Sequence, residues 1–133
     1  MTALVSDTHS AIWYLENSPQ LSNPAEKAMD DAAAAGKPIY VSSISLVEMI
    51  YLIEKKRLPA KDWLNLMRAL RSPMSSFELV PIDLAVVRAL RRISRSEVPD
   101  MPDRIIAATA FHLNLPLVTR DAKIRAAKLT TIW

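Results

Sequence analysis

The chain has 133 residues, half of them hydrophobic, which suits one compact domain over residues 1–133 with a real core and excludes wholesale disorder. It has no cysteine and one glycine, Gly36, which excludes disulfides, thiolate zinc sites, cysteine nucleophiles and the Gly-rich phosphate loops. The formal net charge of +3 is unevenly spread: residues 1–54 hold two lysines and no arginine against seven acids, while residues 55–133 hold fifteen basic residues against seven acids.

Residues 3–6 form a short apolar run that reads as a buried strand, ending at Asp7, and residues 8–15 continue as a helix. The opening residues have no basic region followed by a long apolar stretch, so no signal peptide is expected. No stretch reaches the ~18–20 apolar residues of a membrane span, and a cytoplasmic protein is expected. Residues 22–35 are helical, with Ser22 as N-cap, Pro24 in the first turn and Gly36 as the terminating residue. Residues 38–41 are a second strand. Ser42 or Ser43 then caps a helix running through Glu48 to about Lys56, its apolar residues recurring at helical spacing. Leu58-Pro59 breaks the chain before an amphipathic helix over 60–70. Residues 77–82 read as a third strand, Asp83 caps a helix to about Ile93, and 94–99 is a loop. A helix over 102–113, a fourth strand over 115–119, a helix over 121–127 and a short last strand over 129–133 complete the chain.

Strands alternating with helices predict an α/β fold: a central parallel sheet of four or five short strands, flanked by helices on both faces and joined by right-handed crossovers. In such a sheet ligands bind outside the carboxyl ends of the strands, where the strand order reverses. Four carboxylates sit at strand ends or in the helices that follow: Asp7, Glu48, Asp103 and Asp121. Delivered to one pocket they suit Mg²⁺ or Mn²⁺, which prefer carboxylate and water ligands. Asp7 and Asp121 can equally be helix N-caps. Glu48 is more telling, because a carboxylate in mid-helix with apolar neighbours is costly unless paired or metal-bound. Asp103 opens a helix that is apolar almost all round, and Asp100, just before it, is either a cap or a supporting carboxylate. An acidic pocket in a basic surface fits a polyanionic substrate whose phosphate must reach a metal.

The blocks Asp7-Thr8-His9, Ser42–Glu48, Asp103-Arg-Ile-Ile-Ala-Ala-Thr-Ala and Leu117-Val-Thr-Arg-Asp121 resemble the four blocks of PIN-domain nucleases. The resemblance is to the small VapC-type toxins of type II toxin–antitoxin pairs, and it covers nearly the whole chain with all four acids in order. It implies a metal-dependent endoribonuclease in which Asp7, Glu48, Asp103 and Asp121 bind one or two Mg²⁺ or Mn²⁺ ions, with Thr8 and Thr119 orienting these ligands. The ions would activate a water for in-line attack that leaves 5′-phosphate and 3′-hydroxyl ends. It further implies a VapB-like antitoxin partner and a homodimer, both using the apolar helices around 44–56 and 61–70.

Arg91, Arg92, Arg95, Arg104, Arg120, Lys123 and Arg125, with Arg88 and Lys128, are candidates for guiding RNA phosphates. Arg88, Arg91, Arg92 and Arg95 recur at helical spacing and are expected on one helix face. Trp13, Tyr14, Tyr51, Trp63 and Trp133 are expected in the core, while His9 has a local hydrogen bond or reaches substrate. Two other classes compete with the nuclease. A receiver-like signalling domain would need paired acids at the first strand, where Asp7 stands alone. A non-catalytic PIN-like binding module would show lost acids, and none is lost.

Overall fold

The computed structural model describes residues 2–127 and 129–133, so Lys128 lies outside it. The elements in chain order are β1 (Leu4–Ser6), α1 (Thr8–Glu16), α2 (Asn23–Ala34), β2 (Ile39–Ser42), α3 (Ser43–Glu54), α4 (Ala60–Arg71), β3 (Phe77–Val80), α5 (Leu84–Leu90), α6 (Met101–Leu113), β4 (Leu117–Val118), α7 (Ala122–Ala126) and β5 (Thr131–Ile132). The five strands form one sheet in the order β3-β2-β1-β4-β5, and every pairing is parallel.

Alternation along each strand sends neighbouring side chains to opposite faces. Leu4 joins one buried cluster, with Ala11, Met29, Met49 and Leu66 of α1, α2, α3 and α4. Val5, its neighbour, joins the other, with Ala89 of α5, Ile106 and Ala110 of α6 and Ile124 of α7. Val118 and Leu117 on β4 divide in the same way. Both faces of the sheet are therefore covered by helices, as a parallel sheet requires.

Local chemistry sets most of the boundaries. Ser22 accepts a hydrogen bond from the Ala25 N–H to start α2, and Ser42 accepts from the Ile44 N–H to start α3. Gly36 turns the chain after α2 with φ of 67°, the left-handed conformation that favours glycine. Two elements are shorter than the sequence predicts. β3 stops at Val80 rather than Ile82, because Pro81 has no N–H to continue the ladder. α5 stops at Leu90 rather than Ile93; the Leu90 carbonyl accepts both from the Ile93 N–H at 3.2 Å and from the Arg104 guanidinium at 3.0 Å, and the Ile93 carbonyl accepts from that guanidinium at 2.8 Å. Among the described residues no helix is long and apolar enough to cross a membrane.

β1 is the pivot of the sheet. The chain runs from β1 to β2 and β3 on one side, then returns to place β4 on the other. Ser6 at the end of β1 lies opposite both Val41 of β2 and Val118 of β4. The crevice outside these carboxyl ends is the switch point where α/β sheets bind ligands.

Candidate metal centre

Register alone brings two of the acids together. Asp7 follows Ser6 directly, and its N–H donates to the Val118 carbonyl at 3.1 Å, tying the end of β1 to that of β4. Thr119 continues β4, and its hydroxyl accepts from the Asp121 N–H at 3.1 Å, which folds Asp121 back toward β1. Each acid also caps a helix. Asp7 Oδ1 accepts from the Ser10 N–H at 2.9 Å, and Asp121 Oδ1 accepts from the Lys123 and Ile124 N–H groups at 2.8 and 3.1 Å. Capping and pocket lining are thus not alternatives: one oxygen starts the helix, and the carboxylate as a whole remains at the pocket wall.

Glu48 comes from the second turn of α3, on the face beneath which Ser45 is buried. The buried Thr8 hydroxyl lies 2.6 Å from Glu48 Oε1 and 2.8 Å from Ser45 Oγ. A hydroxyl has one proton to give, and the charged oxygen at the shorter distance is the stronger acceptor. Thr8 therefore anchors Glu48 from α1, and Ser45 completes the chain from α3. Ser45 stands one turn before Glu48 on the same face of α3, the spacing that lets both reach Thr8.

Asp103 sits in the first turn of α6. Asp100 caps that helix, its Oδ2 accepting from the Asp103 N–H at 3.1 Å. Burial of Asp103, followed by the negative charges of Asp100 and Asp121, a hydrogen bond to Asp121 and the charge of Glu48, pushes its carboxyl from the ordinary 3.8 up to about 8. Around neutrality Asp103 therefore holds a proton and donates it toward Asp121, unless a cation takes its place.

All four acids line one pocket of about 290 Å³, with Asp100, His9, Trp13 and Arg120. The donor set fits a hard divalent cation: several carboxylate oxygens, one imidazole and no sulfur. Among the described residues the only ion pair is Lys27–Asp31, on the surface, so no protein cation lies within pairing distance of these acids. Among the described residues no three His, Asp or Glu side chains stand close enough together to hold a metal ion between them. A pocket of about 290 Å³ leaves room among these side chains for an ion that keeps part of its water shell.

The basic residues divide. Arg120 lines the pocket, its guanidinium 4.7 Å from the centroid of the Trp13 ring. Lys123 lines an adjoining depression that shares Asp100, Asp103 and Asp121 with the first. Arg125 is exposed on α7 but lines neither. The expected helical stripe is corrected: with α5 ending at Leu90, Arg91, Arg92 and Arg95 lie in the turns beyond it and share no helix face with Arg88, although all remain exposed. Arg104 is half-buried, and its Nε and Nη2 donate to the carbonyls of Ile93 and Leu90. Trp13 is buried as expected, yet it also lines the pocket. His9 beside it is exposed, with ring centroids 5.5 Å apart.

Residues 4–129 match the PIN domain family. The chain is also 30% identical to Ribonuclease VapC22 of Mycobacterium tuberculosis over 141 aligned residues, covering 100% of both. The chain belongs to the PIN-domain family, in its VapC type. Solved structures share the fold of this PIN domain. VapBC2 from Rickettsia felis, bound to a DNA fragment from its promoter, aligns with a TM-score of 0.68 at 18% identity over 96% of this chain and 97% of that one. DNA-bound VapBC from Salmonella typhimurium aligns with a TM-score of 0.68 at 21% identity over 98% and 97%. A toxin–antitoxin complex from Klebsiella pneumoniae aligns with a TM-score of 0.64 at 23% identity over 98% and 97%.

Proposed function

We propose that this PIN domain is a metal-dependent endoribonuclease, the toxin of a VapBC-type toxin–antitoxin pair, acting in the cytoplasm. One observation carries the reading: Asp7, Glu48, Asp103 and Asp121, brought from four separate stretches of chain, line one pocket at the switch point of the sheet. The relative at 30% identity is by name a ribonuclease.

Asp7, Glu48, Asp103 and Asp121 are the residues that would hold Mg²⁺ or Mn²⁺, which supplies an activated water and charge stabilisation at the scissile phosphate. Thr8 fixes the Glu48 carboxylate, and the cap bonds made by Asp7 and Asp121 fix theirs, so little reorganisation is left for the moment of reaction. Asp100 raises the proton affinity of Asp103 and orients it through the first turn of α6. In the overall reaction water oxygen bonds to phosphorus, the bond from phosphorus to the 3′ oxygen breaks, and that oxygen takes up a proton. The products are a 5′-phosphate and a 3′-hydroxyl.

The antitoxin site we assign to the face between α3 and α4. Ile50 and Leu64 are 42% and 58% exposed there, and Tyr51, expected in the core, is instead 59% exposed, beside a groove lined by Ile53, Ala60 and Trp63. Apolar exposure of this extent on a solvated helix pair marks an interaction surface. Leu79, Ile82, Leu84 and Val87, exposed on β3 and the start of α5, give a second apolar face that suits a homodimer.

The test is cleavage of total cellular RNA by purified protein in Mg²⁺ or Mn²⁺ and in EDTA, beside Asp7→Asn and Asp103→Asn. Discrete fragments that require the metal and disappear in both variants are expected. Absence of cleavage by folded protein that binds the metal would leave a non-catalytic PIN-like binding module.

A further inference from the structure

The pocket described above has a neighbour. A second depression of about 350 Å³ is lined by Val98, Pro99, Ala122 and Lys123 and shares Asp100, Asp103 and Asp121 with the first. The three shared acids are therefore the ridge of a saddle, open on both sides. Each side carries one basic residue, Arg120 in the first hollow and Lys123 in the second.

Arg120 is placed against expectation. It lines a hollow with five carboxylates, yet no ion pair joins it to any of them within 4 Å, and it has no hydrogen bond among the described residues. Its guanidinium rests instead over the Trp13 ring, 4.7 Å from the centroid. An aromatic face supports a cation without neutralising it and leaves its N–H edge free. That edge has the fork geometry that fits phosphate oxygens. Trp13 is itself fixed, 7% exposed and packed against Trp133 with ring centroids 6.1 Å apart, so the support is rigid. Lys123 has its backbone fixed by the bond from its N–H to Asp121, which leaves an exposed ammonium beside the ridge.

We propose that single-stranded RNA lies across this saddle, with the scissile phosphate at the ridge, one neighbouring phosphate gripped by Arg120 on Trp13 and the neighbour on the other side by Lys123. This rests on the ribonuclease reading and adds to it the path of the strand and its two clamps. Each hollow is at the small end of ligand sites, with room for about one nucleotide unit. The exposed His9 ring beside Trp13 offers a stacking surface to an unpaired base in the first hollow. A strand held this way is unstacked on both sides of the cut, which selects single-stranded segments over duplex.

The experiment measures kcat/KM in Mn²⁺ on a labelled single-stranded RNA of mixed sequence as KCl is raised. It compares wild type, Arg120→Gln, Lys123→Gln, the double variant, and Lys37→Gln as an exposed control at the opposite end of the sheet. Each lost phosphate contact flattens the slope of log(kcat/KM) against log salt by about 0.7 for a single strand. The expected result is a flattening of about that size in each single variant and twice that in the double, with Lys37→Gln unchanged and Arg120→Lys restoring the slope. Replacing one neighbouring phosphate by a neutral methylphosphonate should erase the effect of Arg120→Gln, and replacing the other should erase that of Lys123→Gln. The melting-temperature rise on Mn²⁺ addition should be the same in all variants, which separates loss of the RNA clamp from loss of the fold or the metal. An unchanged slope in both single variants overturns the strand path while the ribonuclease reading stands. Failure of wild type to cleave overturns that reading and the strand path with it.

Discussion

Replacing Asp103 with asparagine should stabilise the protein in EDTA near neutral pH while abolishing cleavage. The cause is the crowding of acids at the ridge. Burial and the charges of Asp100, Asp121 and Glu48 push the Asp103 carboxyl up to about 8. In the unfolded chain it titrates near 3.8, so between those values the fold holds a proton that the unfolded chain has released. Stability then falls as pH rises, fully present below the ordinary value and lost as pH approaches about 8. For a fully buried group, integration from 3.8 to pH 7 gives roughly 4 kcal/mol. Asp103 is only half-buried, and solvent screening reduces this to ~1–2 kcal/mol. In a chain of this size that is a rise of about 3–8 °C in melting temperature for Asp103→Asn at pH 7. The assay is thermal unfolding of both proteins in EDTA at several values between pH 5 and 8. The gap between variant and wild type should widen with pH, and Mn²⁺ should close it by stabilising wild type more. A constant gap across the range, or a variant less stable than wild type throughout, would refute the account of Asp103 as the most crowded acid of the pocket.

Three further outcomes follow from single contacts. Thr8→Val leaves Glu48 without its 2.6 Å hydrogen bond, and single-turnover kinetics should show cleavage or metal affinity reduced by about 10–100-fold. Arg104→Met removes two bonds from a charged donor to the carbonyls closing α5, costing about 2–4 kcal/mol in a urea titration, with no change in the salt dependence of RNA cleavage. Leu64→Asp puts a charge on the exposed α3–α4 face. It should abolish complex formation with the antitoxin in size-exclusion chromatography and leave cleavage by the isolated protein intact.

What the sequence showed was local chemistry. Ser22, Pro24 and Gly36 bound α2 because capping and a left-handed turn depend on residues a few positions apart. Asp7, Glu48 and Asp121 could be picked out because each sits at a strand end or in the helix after it, Asp103 because it opens a helix apolar almost all round, and the four together because their blocks resemble those of a known family. What stayed hidden depends on partners far away in sequence. The end of α5 is decided by Arg104, whose guanidinium arrives from the next helix, so periodicity overran into Arg91–Ile93. Trp13 reads as a core residue and is one, but the face it turns to Arg120 exists only once β1 and β4 are paired. Asp7 and Asp121 pose cap against ligand as alternatives in the sequence, and in the structure each caps a helix and lines the pocket with the same side chain.

The central place of β1 has a consequence for the order of events during synthesis. β1 emerges first and can pair with β2 soon afterwards, yet its other edge waits for β4, more than a hundred residues later. Until then the groove has Asp7 and Glu48 but neither Asp103 nor Asp121. A growing chain that begins to fold from its amino end therefore carries only half of the pocket. On the function and antitoxin face proposed above, a ribonuclease assembled in this order is inactive toward the ribosome and messenger producing it until the middle of its sheet is closed, and the α3–α4 face is complete before that.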